Sequence, residues 1–229
     1  MKRNPLPSYT DKQSFVQGMF DRISPKYDLV NRLMTFGLDQ GWRREVVRRL
    51  DLGPGQKVLD VACGTGDFLK LLSTSALDPT GVDLSFGMLK HNHSGAALVQ
   101  GSAVNLPFRD ASFSGLTCGF AIRNFTELKL VFAEFARVLK SEGRVGILEV
   151  ATPKNPLIRA GHSVYFNHVV PVIGGAMSDQ SAYRYLPQSV EYLPSEVELQ
   201  TMMSASGFCG FERVPVGLGA AQIIMATRS

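Results

Sequence analysis

Cysteine, charge and uninterrupted apolar runs are all scarce in this chain. Its three cysteines, Cys63, Cys118 and Cys209, are odd in number and far apart, and none sits in a C-x-x-C pair. Neither a zinc knuckle nor a redox dithiol is expected, and no metal site; each cysteine reads as a small buried residue of a reducing compartment. Charged residues make up 19% of the chain against 45% hydrophobic ones, an ordinary globular balance that excludes a disordered protein. The net charge of +4 is small enough to read as surface excess, and a nucleic-acid partner is not expected. Apolar runs long enough to cross a bilayer, about 20 residues, are missing. Residues 160–178 hold no Asp, Glu, Lys or Arg, but His162, Ser163, Asn167, His168, Pro171, Gly174 and Gly175 interrupt them, which suits a lid or pocket segment. Behind Lys2 and Arg3 there is no apolar core, so no secretory signal is read and a cytoplasmic location is expected.

What is present is an alternation of two periods. Residues 15–50 read as two or three helices, with Phe15, Met19, Ile23, Leu29, Leu33, Val46 and Leu50 as the apolar stripe and breaks at Ser24-Pro25 and Gly37. Trp42 to Arg49 is the one charge cluster. Its Trp42, Val46 and Val47 recur at helical spacing with Leu50, predicting an amphipathic helix with a basic outer face. Strands are expected over 57–62, 80–84, 97–100, 113–120 and 144–149, with helices over 67–73, from 86 and over 128–139. Near-continuous apolar strands separated by helices imply an α/β, doubly wound, mostly parallel sheet covered on both faces. Ser195 and Glu198 open a further helix with a capping box, and 209–216 and 221–227 form a terminal strand pair. One domain is expected: an N-terminal helical cover (1–52), a binding core (53–150), an acceptor-pocket insertion (151–194) and a C-terminal helix and strands (195–229).

Most of the chemistry is announced by Val58-Leu59-Asp60-Val61-Ala62-Cys63-Gly64-Thr65-Gly66-Asp67-Phe68. A strand that stops at Gly-x-Gly and opens a helix lets a ligand approach bare backbone. A dinucleotide fingerprint would need a third glycine at position 69, where the chain has Leu69, so a nicotinamide-dependent oxidoreductase is disfavoured. The turn, with Asp60 four residues before Gly64, resembles the first motif of class I S-adenosylmethionine (SAM) methyltransferases. Ligands of open parallel sheets bind beyond the carboxyl ends of the strands. Asp83, about 20 residues after the turn, is therefore placed to accept bonds from both ribose hydroxyls of a nucleoside; the alternative is that it only caps the next helix. Asp60 would fix the turn or meet the donor's ammonium group. Ser102 and Ala103 suit the adenine, and Gly119 borders the methionine. The cofactor-binding set is thus Asp60, Gly64, Thr65, Gly66, Asp83, Ser102, Ala103 and Gly119.

Beyond the turn, Met19 to Asn31, Phe36 to Arg43, Asp60 to Asp67, Asn105-Leu106-Pro107-Phe108, Phe120-Ala121-Ile122-Arg123-Asn124, Arg137 to Lys140, Leu148-Glu149 and Tyr183 to Val190 resemble the ubiquinone/menaquinone biosynthesis C-methyltransferase family over nearly the whole chain. The resemblance implies methyl transfer from SAM to a ring carbon of a polyprenylated quinol. Departures from the usual family pattern are Ser102 in place of Asp or Asn, Ser114 after Phe113, Ser141-Glu142-Gly143 before the fifth strand, and a short segment between Leu89 and Ala97.

A quinol carbon becomes nucleophilic as its neighbouring hydroxyl loses a proton, so a base must lie within hydrogen-bond reach. Candidates are His162, His168, Tyr27, or a water oriented by Arg123 and Asn124. Arg123 and Asn124, which follow the fourth strand next to the expected SAM site, are the favoured catalytic pair as polarising and orienting groups, arginine being a poor base because it stays protonated; a salt bridge closing a loop is the alternative for Arg123. Residues 157–177, with the helices of 15–50, are expected to form a mobile cover for the prenyl tail, and Arg43, Arg44, Arg48 and Arg49 to offer cations to a membrane surface. A homodimer stays open. A SAM-binding module without turnover is the non-enzyme alternative. A nucleic-acid methyltransferase is disfavoured by the absence of an Asn/Asp-Pro-Pro-Tyr/Phe motif.

Overall fold

A computed structural model describes residues 12–170, 172, 185 and 188–229. Three helices come first: α1 (Lys12–Ile23), α2 (Tyr27–Thr35) and α3 (Leu38–Leu50). Pro25 sits in a 3₁₀ turn between α1 and α2, where its missing N–H costs nothing. Phe36 and Gly37, at φ 53° and 72°, reverse the chain into α3.

The strands β1 (Lys57–Val61), β2 (Asp78–Asp83), β3 (Ala97–Gln100), β4 (Phe113–Gly119), β5 (Leu139–Val150), β6 (Phe208–Val216) and β7 (Ala221–Arg228) form one sheet in the order β3-β2-β1-β4-β5-β7-β6. β1 to β5 pair in parallel, while β7 slots between β5 and β6 antiparallel to both. The helices α4 (Asp67–Thr74), α5 (Phe86–Lys90), α6 (Leu128–Val138), α7 (Pro156–Val164) and α8 (Glu196–Ala205) connect them. Both faces of the sheet are covered. Val131, Phe132 and Phe135 of α6 with Leu199 and Met203 of α8 pack on one face; Val46, Val47 and Leu50 of α3 with Phe68 and Leu72 of α4 pack on the other. Full burial of each such side chain contributes about 1.5–3 kcal/mol. The chain runs outward from β1 to β3 and returns to β4 beside β1, so the strand order reverses between the carboxyl ends of β1 and β4.

Several expectations are met residue by residue. β3 has its predicted bounds, and Ser195 and Glu198 form the capping box, with Ser195 N–H donating to Glu198 at 2.8 Å and Glu198 N–H to Ser195 Oγ at 3.3 Å. Others shift. β5 begins at Leu139, whose buried side chain ends α6 and which pairs with Phe113; a register shift carrying Glu142 at φ 60° precedes the Arg144–Gly115 pairing. The turn-like Ser141-Glu142-Gly143 is therefore an irregularity inside one strand. β2 starts two residues early because Asp78 and Pro79 already pair with Lys57 and Val58. The expected apolar stripe of the N-terminal helices holds for Met19, Ile23, Val46 and Leu50 but fails for Phe15, Leu29 and Leu33, which are exposed.

Candidate active site

The carboxyl ends of β1, β2 and β4 open into a cleft whose empty space is about 1100 Å³, open solvent at its mouth included. Of the eight residues expected to hold SAM, Asp60, Gly64, Thr65, Asp83, Ser102, Ala103 and Gly119 all line it. Gly66 does not. It lies at φ 100° as the residue before α4, and a Cβ there would come within 2.6 Å of Asn92 Oδ1, so glycine shapes the turn from behind. At Gly64, φ 55°, nothing lies within 4 Å of an added Cβ, which leaves that stretch of backbone bare to a ligand.

The turn is clamped from two sides. Gly64 N–H donates to Asp83 Oδ2 at 2.8 Å, and the Gly64 carbonyl accepts from Asn92 Nδ2 at 2.9 Å. Asn92 belongs to the short segment after α5, so the clipped crossover brings an amide onto the glycine turn; no periodicity signals this contact. Asp83 Oδ1 also accepts from Ser85 N–H at 2.8 Å. Both Asp83 oxygens keep lone pairs for further donors, so the helix-side bond and a ribose contact do not exclude one another. Burial pushes the Asp83 carboxyl up to about 6, against these backbone N–H bonds. Asp60, buried on the floor, accepts from Thr117 Oγ1 at 2.8 Å, and burial raises it to about 7.

Beside Gly119 stands Arg43, a residue expected on the basic outer face of its helix but almost fully buried. Its Nε is 3.5 Å from Asp39 Oδ2 and its Nη2 3.7 Å from Asp67 Oδ2. The guanidinium carbon lies 4.9 Å from the ring centre of Phe68 and 5.5 Å from that of Phe120. Among the described residues neither Nη donates a hydrogen bond, and Arg43 lines the cavity. Gly119 makes room for it: a Cβ at that position would be 2.9 Å from Arg43 Nη1 and 2.8 Å from Phe68.

The favoured catalytic pair divides. Asn124 lines the cavity, and its Oδ1 accepts from Tyr185 O–H at 3.2 Å. Arg123 stands outside the lining. Its guanidinium forms a buried ion pair with Glu149, donates to the Phe120 carbonyl at 2.6 Å and to Ser189 Oγ at 3.0 Å. The loop-closing salt bridge weighed for Arg123 is thus present. Of the base candidates, only Tyr27 lines the cavity, and burial holds its phenol up at about 12. His162, lowered by burial, and His168 are not in the lining.

α1 roofs the site with Gln13, Val16, Gln17 and Phe20. Gln17 Nε2 donates to the Leu84 carbonyl at 3.2 Å, and Asp21 accepts from Ser85 Oγ at 2.5 Å and Gly87 N–H at 2.9 Å. The Lys12 ammonium donates to the carbonyls of Arg123 and Phe125 at 2.9 and 3.2 Å and lies 3.8 Å from the Tyr192 ring centre. Burial lowers it to about 8. The second half of the expected cover, with Gly174 and Gly175, lies outside the described residues. Among the described residues of 151–194 none lines the cavity; Tyr185 touches it through Asn124, and Ser189 holds Arg123 behind the lining.

A sheet of this order, reversed at a Gly-x-Gly turn with an acidic residue ending β2, defines a class I SAM-dependent methyltransferase. A SAM-dependent methyltransferase of Aquifex aeolicus superposes on the chain with a TM-score of 0.60 at 17% identity, covering 82% of this chain and 89% of that one. Within the class, the chain belongs to the ubiE/COQ5 methyltransferase family, which matches residues 8–228. It is 41% identical over 231 residues to the demethylmenaquinone methyltransferase of Roseiflexus castenholzii, covering 97% of each chain. It is 43% identical over 201 residues to the ubiquinone/menaquinone biosynthesis C-methyltransferase UbiE of Syntrophotalea carbinolica, covering 83% of this chain and 84% of that one.

Proposed function

We propose that this protein transfers the methyl group of SAM to a ring carbon of a demethylated polyprenyl quinol in menaquinone or ubiquinone biosynthesis. The observation that carries the reading is a single cavity in which the donor residues Asp83, Gly64 and Gly119 and the acceptor-side residues Asn124, Phe125 and Tyr27 share one lining. The relatives' names, demethylmenaquinone methyltransferase and ubiquinone/menaquinone biosynthesis C-methyltransferase, supply the acceptor class.

In this reading Asp83 accepts from the ribose hydroxyls, and the bare Gly64 backbone faces the methionine end. Ser102 and Ala103 border the adenine, with Ser102 reaching it through water. Arg43, whose Nη groups donate no hydrogen bond among the described residues although Nη2 pairs loosely with Asp67 at 3.7 Å, takes the methionine carboxylate in a charge-assisted bond. The ring carbon attacks the sulfonium methyl in line: the new C–C bond forms and the S–CH₃ bond breaks to a neutral thioether. The ring C–H proton passes to water as aromaticity returns and the quinolate oxygen regains a proton from water, so that one proton is released per methyl transferred. The quinol hydroxyl sheds its proton through a water held at Asn124, whose Nδ2 donates no hydrogen bond among the described residues and can steady the developing quinolate. Tyr27, protonated at neutral pH, can donate a hydrogen bond to the ring oxygen but does not serve as the base. Arg123, neutralised by Glu149, acts by positioning Asn124. Holding donor and ring together provides much of the rate through proximity.

Deletion of the gene in its host tests the assignment: the demethylated quinone should accumulate, and whether it is a naphthoquinone or a benzoquinone names the ring. Unchanged quinone content would reject it in favour of a different acceptor or a SAM-binding module without turnover.

A further inference from the structure

The apolar stripe of α2 faces outward. Leu29 and Leu33 are 53% and 44% exposed, and Phe36, held at φ 53°, is 76% exposed. A left-handed phenylalanine displayed to water is costly twice over, in backbone conformation and in exposed ring. Beside it lies α7, a helix that buries none of its residues. Leu157 and Val164, seven residues apart and so on one face, are 84% and 60% exposed, and Val169 in the following π turn is also exposed. The two surfaces are joined: Tyr165 O–H donates to the Met34 carbonyl at 3.0 Å, and the Phe36 and Tyr165 rings are 5.5 Å apart. Monomeric proteins seldom expose contiguous apolar patches of this kind without an occupant.

Charge identifies the occupant. Residues 151–178 contain Lys154 and Arg159 but no Asp or Glu, and neither cation forms an ion pair among the described residues. Of the basic residues of α3, Arg43 is buried, and Arg48 and Arg49 both hold Glu45, at 2.6 Å each, which leaves Arg44 as the exposed cation of that helix with no ion pair among the described residues. An apolar face with uncompensated cations fits an anionic bilayer, with leucine, valine and phenylalanine in the acyl boundary and ammonium and guanidinium at the headgroups.

We propose that the outer faces of α2 and α7 form the surface on which this protein docks to an anionic membrane. Its link to turnover rests on the prenyl-quinol reading, whereas docking itself rests on the surface. α2 begins at Tyr27 in the cavity lining, so docking sets the mouth of the site beside the lipid in which a prenyl tail dissolves.

The test uses the full chain with phosphatidylcholine vesicles, with and without phosphatidylglycerol, in a sedimentation assay. Wild type should partition to the anionic vesicles only, and less at high salt. Leu157→Gln with Val164→Gln, and separately Lys154→Glu with Arg159→Glu, should each lower partition by about tenfold or more, with unchanged melting temperature and SAM affinity. Turnover on a short-tailed, water-soluble quinol should be retained, while turnover on a long-tailed quinol in vesicles falls. Vesicle binding without methylation of any quinol would leave the surface assigned and reject the acceptor. Absence of wild-type partition, partition unaffected by the substitutions, or a solution dimer abolished by them would overturn the proposal.

Discussion

The Asp28 carboxylate, in the first turn of α2, accepts a hydrogen bond from the Thr65 hydroxyl in the middle of the glycine turn. His93 Nδ1 lies 3.7 Å from the other Asp28 oxygen. One side chain of the helical cover therefore touches the turn beneath it and the short segment after α5 beside it. Asp28→Ala should weaken SAM binding by about 0.5–1.5 kcal/mol, the worth of a typical hydrogen bond, and speed amide exchange in α1 and α2. Calorimetric titration with hydrogen exchange checks this; unchanged affinity and protection would detach the cover from the donor site.

Asp83 gives a sharper expectation. Asp83→Ala removes the ribose acceptor and one clamp on Gly64, and should cost about 1.5–3 kcal/mol of SAM affinity, as for hydrogen bonds to a charged group. Its pH dependence has two opposite signs. Burial raises Asp83 to about 6 and Asp60 to about 7 from an ordinary 3.8. The folded protein without ligand thus holds more protons than the unfolded chain across pH 3.8 to 7, and these two groups make it less stable as pH rises through that window. SAM, which needs Asp83 ionised, should bind more tightly over the same rise, with affinity levelling above about pH 7. Melting curves and titrations at pH 5 to 8 would show both trends; affinity that is flat across this range would remove Asp83 from the ribose contact.

Arg43 separates the two ends of the donor. Arg43→Lys keeps a charge near Asp39 but loses the planar fork. It should weaken SAM binding several-fold while leaving the affinity for adenosine, which lacks the carboxylate, nearly unchanged. Equal losses for both ligands would mean that the substitution acts through the fold.

Arg123 and Asn124 should behave differently from one another. Arg123→Ala leaves Glu149 buried without its partner, a change that typically costs about 3–5 kcal/mol. Asn124→Ala should spare both stability and SAM binding and lower kcat. Chemical denaturation and steady-state kinetics on the two variants decide it; a stable Arg123→Ala protein with full turnover would contradict the buried-pair account.

These contrasts show what sequence pattern carries and what it omits. The β1–turn–α4 unit was legible because an apolar strand, Gly-x-Gly and a helix start are all local features, and Asp83 followed from its distance to the turn. Arg123 and Asn124 followed from their place just beyond the fourth strand. What no local pattern carries is the long-range partner. Helical periodicity assigns Arg43 to an outer face, yet Asp39 and Asp67 with the Phe68 and Phe120 rings make an inward pocket for it. Glu149, twenty-six positions from Arg123, pairs with its guanidinium in the core. Asn92 acts on Gly64 only because the crossover is short. Leu29 and Leu33 match the buried pattern of neighbouring helices but stand exposed.

The most direct test supplies methyl-labelled SAM and a reduced demethylnaphthoquinol to the purified protein and locates the label by nuclear magnetic resonance. The account predicts a labelled methyl on the ring carbon next to a hydroxyl-bearing carbon, with the signal strongly reduced in Asn124→Ala despite unaltered SAM binding. Label on a hydroxyl oxygen, or no transfer to either a naphthoquinol or a benzoquinol while SAM binds, would contradict it.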